Sequence, residues 1–155
     1  MLLGTPDKYF FVHGSAEGPS QLNSFDNALL AAGIGNMNLI RVSSIIPPGA
    51  QEISVPTLPS GSLVPIAYAC ESSDVAGELI AAAVAIGVPK EKDRPGVIME
   101  HHIKGSSDEC EEMARQLVRH AFEKRGYAPK EIKSTSAQVK VASIATAFAG
   151  VVLWA

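Results

Sequence analysis

"NLIRVSSIIPP", from Asn38 to Pro48, joins a strand-like run to a segment that cannot continue a strand. The part from Leu39 to Val42 is mostly apolar and includes β-branched side chains, which favours an extended backbone. Two serines follow, and Pro47 and Pro48 then lack the backbone N–H groups that a strand ladder needs. The serines therefore stand at the end of a predicted strand, where either a polar turn or a reactive group fits.

Outward from this stretch, composition and spacing predict more strands than helices. The segment "GELIAAAVAIGVP" is ambiguous, because its alanines favour helix whereas its β-branched residues alternate, and we favour a strand. The predicted strands are Lys8 to Val12, Asn36 to Ser44, Leu63 to Ser72, Gly77 to Pro89, Gly96 to Gly105, Glu131 to Ser143 and Ala145 to Ala155. The proline-rich segment between Pro47 and Pro65 is expected to form a long irregular connection.

Two helices are predicted from capping residues and apolar spacing. The first begins after Ser20 and ends at Gly33, and its apolar face consists of Leu22, Phe25, Ala28, Leu29 and Ala32. The second begins with a capping box and ends at a glycine, and its apolar face carries a cysteine, a methionine, a leucine and an alanine. Its residues are Ser106 and Glu109 in the box, Cys110, Met113, Leu117 and Ala121 on the face, and Gly126 at the end.

Two layers of sheet with helices packed outside would bury the apolar faces of all these elements. The expected fold class is therefore α/β, a layered αββα sandwich of mostly antiparallel strands with outer helices. A length of 155 residues suits a single domain.

Charge and hydropathy exclude several kinds of partner. The chain has 13 basic and 16 acidic side chains, a net charge of -3 and no cluster of lysine and arginine, which argues against nucleic acid. No apolar run reaches the roughly 18 to 20 residues that cross a bilayer, so we expect a soluble, cytoplasmic protein without a membrane partner. Cys70 and Cys110 lack metal-ligand spacing, and "EHH" at Glu100 has no third ligand, so no metal site is predicted.

The serine pair allows two interpretations on residue types alone. The first is a strand that ends in a polar turn. In the second, Ser44 Oγ attacks the carbonyl of Ser43 and converts the peptide bond to an ester. Elimination at Ser44 then breaks the chain and leaves dehydroalanine, which hydrolyses to a pyruvoyl group. A small residue before Ser44 and a stiff Ile-Ile-Pro-Pro segment after it are compatible with this chemistry.

The longer stretch "PSQLNSFDNALLAAGIGNMNLIRVSSIIPPGA", Pro19 to Ala50, closely resembles the pyruvoyl-dependent arginine decarboxylases. So do "LPSGSLVPIAY", "SDVAGELIAAAVAI", "GVIME" and the C-terminal "AFAGVVLW", in order along nearly the whole chain. The run "GIGNMNLIRVSSIIPP" is far more specific than an isolated pair of serines, and it favours the reactive interpretation.

The resemblance implies self-cleavage between Ser43 and Ser44. The products would be a β chain, Met1 to Ser43, and an α chain, Ser44 to Ala155, whose first residue becomes the pyruvoyl cofactor. By the same resemblance, that group would form a Schiff base with L-arginine, which would lose CO2 to give agmatine for polyamine biosynthesis.

Three further residues receive roles from the resemblance. Glu100 corresponds to the family's proton donor, and desolvation would keep such an acid protonated near neutral pH. Asp26 matches a family acid, and we assign it to the guanidinium of arginine because carboxylate and guanidinium form a planar two-bond pair. Asn38 matches an asparagine associated with processing, where its amide would hold the oxyanion of the Ser43 carbonyl.

A straight strand would place Asn38 roughly 20 Å from Ser44, since each residue advances about 3.3 Å. Either the chain turns back between them, or Asn38 serves the serine of a neighbouring subunit. The family forms trimers with sites between subunits, which implies a homotrimer or a dimer of trimers with interfacial active sites.

Two alternatives remain at this point. One is a pyruvoyl-dependent decarboxylase of another amino acid, such as histidine or aspartate, and the other is an unprocessed, non-catalytic regulatory homologue. Arginine is preferred because Asp26 supplies an anion for a cationic side chain, and intact Ser43, Ser44, Asn38 and Glu100 argue against the second. Alternation also places His102 on the face of Glu100. We favour a polar strand residue without a specific role, and the alternative is that His102 influences the proton affinity of Glu100.

Overall fold

The computed structural model describes residues 4–155, which form two stacked β-sheets with one helix outside each. The strands are β1 (Lys8–Glu17), β2 (Asn38–Arg41), β3 (Ile45–Ile46), β4 (Gln51–Glu52), β5 (Leu63–Ser73), β6 (Leu79–Pro89), β7 (Gly96–Lys104), β8 (Pro129–Lys140) and β9 (Ala145–Trp154). The helices are α1 (Gln21–Ala31) and α2 (Ser107–Arg125). This architecture confirms the predicted αββα sandwich.

The first sheet has the strand order β2-β5-β9-β1-β4, and the second has the order β3-β7-β6-β8. Every pairing is antiparallel except β1 with β4 and β2 with β5. The edge strands β2 and β3 follow one another in sequence but belong to different sheets. The chain therefore passes from one layer to the other immediately after β2.

Small side chains dominate the layer between the sheets. Of the sixteen buried residues in this cluster, seven are alanine, contributed by β5, β6, β8 and β9. Alternation along β6 sends Ile80, Ala82, Val84 and Ile86 into this layer, which is why a segment rich in alanine forms a strand. Its other face, lined by further alanines, packs under α2.

Helix α1 lies on the first sheet and follows its predicted boundaries. Ser20 Oγ accepts a hydrogen bond from the Asn23 backbone N–H at 3.1 Å, and Gly33 takes a φ of +84° after the helix. A Cβ at Gly14 of β1 would lie 2.6 Å from the Ala28 carbonyl oxygen, so strand and helix approach closely there. Leu22, expected on the apolar face, is instead 77% exposed.

Helix α2 lies on the second sheet and buries a face rotated from the predicted one. The buried residues are Cys110, Ala114, Val118, Ala121 and Phe122. Met113 and Leu117, which we expected on that face, are 45% and 42% exposed. The helix packs so close to β6 that a Cβ at Gly87 would clash with the side chains of Phe122 and Val118, so this position of the strand needs glycine.

Other boundaries differ modestly from expectation. Strand β1 extends to Glu17, and β2 ends at Arg41 instead of Ser44. The proline-rich connection is largely irregular apart from the two-residue strand β4. Neither of the two helices within residues 4–155 has the length and apolar character needed to cross a membrane.

Candidate active site at the crossover between the sheets

Ser43 and Ser44 lie in the segment that connects β2 in one sheet with β3 in the other. Just before them, the Val42 N–H donates to the Ile66 carbonyl of β5 at 3.0 Å. Just after the bond between the two serines, the Ser44 carbonyl accepts a hydrogen bond from the Ile98 N–H of β7 at 2.8 Å. The Ser43–Ser44 bond is thus held from both sides, by a different sheet on each side.

The backbone bends at Ser44, and the two serines differ in exposure. Ser43 is exposed and Ser44 is partly buried. The Ser43 carbonyl accepts a hydrogen bond from the Ile45 N–H at 3.0 Å, across only two residues. The predicted polar turn is therefore present, but it is also the junction between the two layers.

Glu100 lies on β7, two residues beyond Ile98, and alternation directs both side chains towards the layer between the sheets. Oε2 of Glu100 is buried and has no hydrogen-bond partner among residues 4–155. Burial raises the pKa of the Glu100 carboxyl above its ordinary value, and nearby Arg41 partly offsets that rise. Glu100 is therefore an acid with increased proton affinity, and it lies on β7, the strand whose Ile98 N–H binds the Ser44 carbonyl.

Arg41, the last residue of β2, reaches across to the second sheet. Its guanidinium donates to the Tyr68 carbonyl at 2.8 Å and stands 4.5 Å from the centroid of the Tyr68 ring. One of its nitrogens lies 3.9 Å from Oε1 of Glu100. Sequence reasoning did not single out Arg41, although it is the only charged residue in "NLIRVSSIIPP".

A second pair of polar residues joins the two sheets nearby. Nδ1 of His102 on β7 lies 2.5 Å from Oε2 of Glu71 on β5. This contact agrees with the alternation that places His102 on the face of Glu100, but it directs the imidazole to Glu71. No side-chain hydrogen bond joins His102 to Glu100 within the described part of the chain.

The same subunit does not bring Asn38 or Asp26 to this site. The Asn38 side chain donates to the Gly61 carbonyl at 2.9 Å. Asp26 is exposed on α1 and makes no side-chain hydrogen bond or ion pair within residues 4–155. Because α1 packs on the outer face of the first sheet, that sheet separates Asp26 from Glu100.

The chain matches one protein family along most of its length. A family model described as pyruvoyl-dependent arginine decarboxylase matches residues 8–155. This chain belongs to that family. The resemblance expected from the Gly33 to Pro48 motif is thereby confirmed.

Relatives in three archaea extend the finding along the chain. A protein named pyruvoyl-dependent arginine decarboxylase in Methanococcus vannielii is 45% identical over 149 residues, covering 96% of this chain and 91% of the relative. Its counterpart in Methanocaldococcus jannaschii is 46% identical over 149 residues, with 96% and 90% covered. The protein of that name in Pyrococcus abyssi is 42% identical over 139 residues, with 88% and 87% covered.

The residues around Ser44 fit a pyruvoyl group. The group would derive from Ser44 itself, a partly buried residue whose carbonyl is fixed by β7. The unpartnered buried oxygen of Glu100 supplies an acid with no other described role in the fold. Among residues 4–155, no three His, Cys, Asp or Glu side chains are grouped to hold a metal ion.

Proposed function

We propose that this chain is a self-processing, pyruvoyl-dependent arginine decarboxylase that converts L-arginine to agmatine and CO2. Family membership and the names of the relatives support the reaction and the prosthetic group. The single observation that carries the proposal is the Ser43–Ser44 bond at the crossover, next to the strand that bears the buried, unpartnered Glu100 oxygen. Agmatine made this way would enter polyamine biosynthesis.

In this proposal the bond between Ser43 and Ser44 breaks once, after folding. The chain up to Ser43 becomes the β chain and the chain from Ser44 becomes the α chain, whose first residue carries the pyruvoyl group. The two products would stay together because β1 and β2 of the first pair with β9 and β5 of the second. A cut at a sheet-to-sheet crossover also leaves every strand of both sheets intact.

When present at position 44, the pyruvoyl ketone would act as an electron sink for the electrons released as the carboxylate leaves. The chain's own residues handle the proton. Glu100, whose pKa is raised by burial, would hold a proton at Oε2 and deliver it to the substrate α-carbon. Arg41 would keep that pKa from rising further, so that Glu100 can still release its proton to the substrate.

The substrate's guanidinium and the processing amide would come from other surfaces of the molecule. Asp26 is assigned to the guanidinium and Asn38 to the oxyanion of the Ser43 carbonyl. Both are exposed and neither faces Ser44 of its own chain, so we place the active sites between subunits of a homotrimer or a dimer of trimers. Exposed apolar side chains on α1, the irregular connection and β5 support such contacts, namely Leu30, Val55 and Leu63.

We also assign the enzyme to the cytoplasm. Its two cysteines, Cys70 and Cys110, are both free thiols, which suits a reducing compartment. Cys110 lies on the buried face of α2, and burial raises its pKa to about 11, so it would stay an unreactive thiol.

Intact-mass analysis under denaturing conditions tests the processing step. We expect two fragments that meet after Ser43, the larger one blocked at its N-terminus. The Ser44→Ala variant should remain one chain, whereas Ser143→Ala, an exposed serine away from the crossover, should still be cut. A single intact chain of 16.3 kDa in the wild-type sample would refute self-processing.

A second measurement tests the substrate. Release of CO2 should be fastest from L-arginine when the cleaved enzyme is offered arginine, lysine, histidine and aspartate in parallel. Asp26→Asn should raise KM for arginine more than it lowers kcat, because the carboxylate contacts a part of the substrate that does not react. Equal rates with aspartate would contradict the assignment to arginine.

A further inference from the structure

The Ser43 carbonyl oxygen already has one hydrogen-bond donor in its own chain. The Ile45 N–H points at it from 3.0 Å, in the three-residue pattern of a γ-turn centred on Ser44. We propose that this backbone amide is a catalytic oxyanion donor for self-cleavage. The inference rests on the proposed function, because it concerns how the Ser43–Ser44 bond is broken.

The Ile45 amide is free for this role because the strand ladder does not use it. Ile45 is paired with Val97, and the Ile98 N–H donates to the Ser44 carbonyl just outside that pair. In an antiparallel ladder, a hydrogen bond in this position means that the pair Ile45 and Val97 is a non-hydrogen-bonded pair. The Ile45 N–H therefore faces away from β7 and is available to the Ser43 carbonyl.

The chemistry places negative charge where this donor lies. Ser44 Oγ forms a bond to the Ser43 carbonyl carbon, and the carbonyl oxygen becomes an oxyanion. The carbon–nitrogen bond then breaks, the hydroxyl proton ends on the Ser44 nitrogen, and an ester replaces the peptide bond. Loss of the Ser44 Cα proton and of the Cβ–oxygen bond releases the Ser43 carboxylate, and water then replaces ammonia to leave the ketone.

Two amides fix the reacting residue during the first step. The Ile45 N–H holds the carbonyl before Ser44, and the Ile98 N–H holds the carbonyl of Ser44 itself at 2.8 Å. The bend therefore cannot relax while both bonds persist. The Asn38 amide is bonded to Gly61 in the same chain, so Ile45 is the donor that the chain supplies to its own Ser43. An Asn38 from a neighbouring subunit would be the second donor of the same oxyanion.

Replacing the amide tests the inference directly. Ile45→Pro removes the N–H without removing a described ladder bond, and proline is tolerated on edge strands such as β3. Ile45→Val keeps the N–H and serves as the matched control. After cell-free synthesis, intact mass followed over time should show cleavage slowed by about 100-fold or more in Ile45→Pro, the usual effect of losing one oxyanion donor. Ile45→Val should be cut far faster than Ile45→Pro, because the proposed donor is the backbone amide and not the side chain.

Variants with a backbone ester in place of one amide test the inference even if Ile45→Pro does not fold. The α-hydroxy analogue of isoleucine at position 45 deletes only the N–H, and the corresponding analogue of valine at position 42 deletes the ladder bond to Ile66. Slow cleavage with the first ester and near-normal cleavage with the second would support the inference. Equal cleavage in both, with circular dichroism matching the wild type, would overturn it. If the wild-type chain itself stays uncut, the proposed function fails instead.

Discussion

One nitrogen of the Arg41 guanidinium lies 3.9 Å from Oε1 of Glu100, while the other oxygen of that carboxylate is buried without a partner among residues 4–155. The two residues come from different sheets, and Arg41 is held in place by the Tyr68 carbonyl. Burial raises the pKa of Glu100, and the positive charge of Arg41 lowers it. The balance between these two effects sets the pH range in which Glu100 carries a proton.

Removing the charge of Arg41 should move the pH profile of decarboxylation. Arg41→Gln removes the charge that lowers the pKa of Glu100, so that pKa rises further. In the proposed mechanism the protonated acid is the active form, so the alkaline limb of kcat/KM should shift to higher pH. Arg41→Lys retains a cation and should shift it less. An unchanged alkaline limb in Arg41→Gln would show that Glu100 does not control it.

The ionisation of Glu100 should also affect stability. The folded-state pKa of Glu100 is raised above the ordinary glutamate pKa of 4.5. Protonation of this carboxyl therefore favours the folded state, fully at a pH below 4.5, and this contribution is lost as the pH rises through the folded-state pKa. In an uncut Ser44→Ala background, Glu100→Gln should therefore gain unfolding free energy relative to its parent at neutral pH. Below pH 4.5 the difference should shrink. Urea unfolding at the two pH values measures both, and a difference independent of pH would contradict the assignment.

A site shared between subunits predicts complementation. Ser44→Ala should not process alone because it lacks the nucleophile, and Asn38→Ala should process only slowly because it lacks one oxyanion donor. Mixing the two unfolded chains and refolding them together should restore some cleavage, since an intact Asn38 can then meet an intact Ser44 across an interface. Mass analysis would find cut chains only among those carrying Asn38→Ala. Absence of any cut chain would favour a site within one subunit.

Local signals predicted much of the fold. Ser20 and Gly33 mark the ends of α1 because capping depends on a few neighbouring residues. The period of two in the alanine-rich segment identified β6, since each of its faces is buried against a different layer. The family motif likewise directed attention to the serine pair and Glu100.

Contacts distant in sequence could not be predicted in the same way. The contact of Arg41 with Glu100 and that of Glu71 with His102 each join different sheets, so no spacing along the chain reveals them. The apolar residues of α2 are compatible with burial of either of two neighbouring helix faces. Close packing of α2 against β6 determines which of the two is buried. The passage from one sheet to the other at Ser43 also depends on strand pairing, which residue types alone do not specify.

A buried chain of hydroxyl groups should contribute to stability far from the crossover. Thr146 Oγ1 lies 2.7 Å from Ser24 Oγ and 2.7 Å from Ser72 Oγ, and it joins α1 to two strands of the first sheet. Thr146→Val keeps the shape of the side chain but leaves Ser72 without this partner, so it should lower the unfolding free energy by about 1–3 kcal/mol. Thr57→Val, at an exposed position, should change it by less than about 0.5 kcal/mol. Of these two threonines, Thr146 is buried and Thr57 is exposed. Equal effects of the two substitutions on the unfolding free energy in urea would therefore show that the buried hydroxyl contacts contribute little.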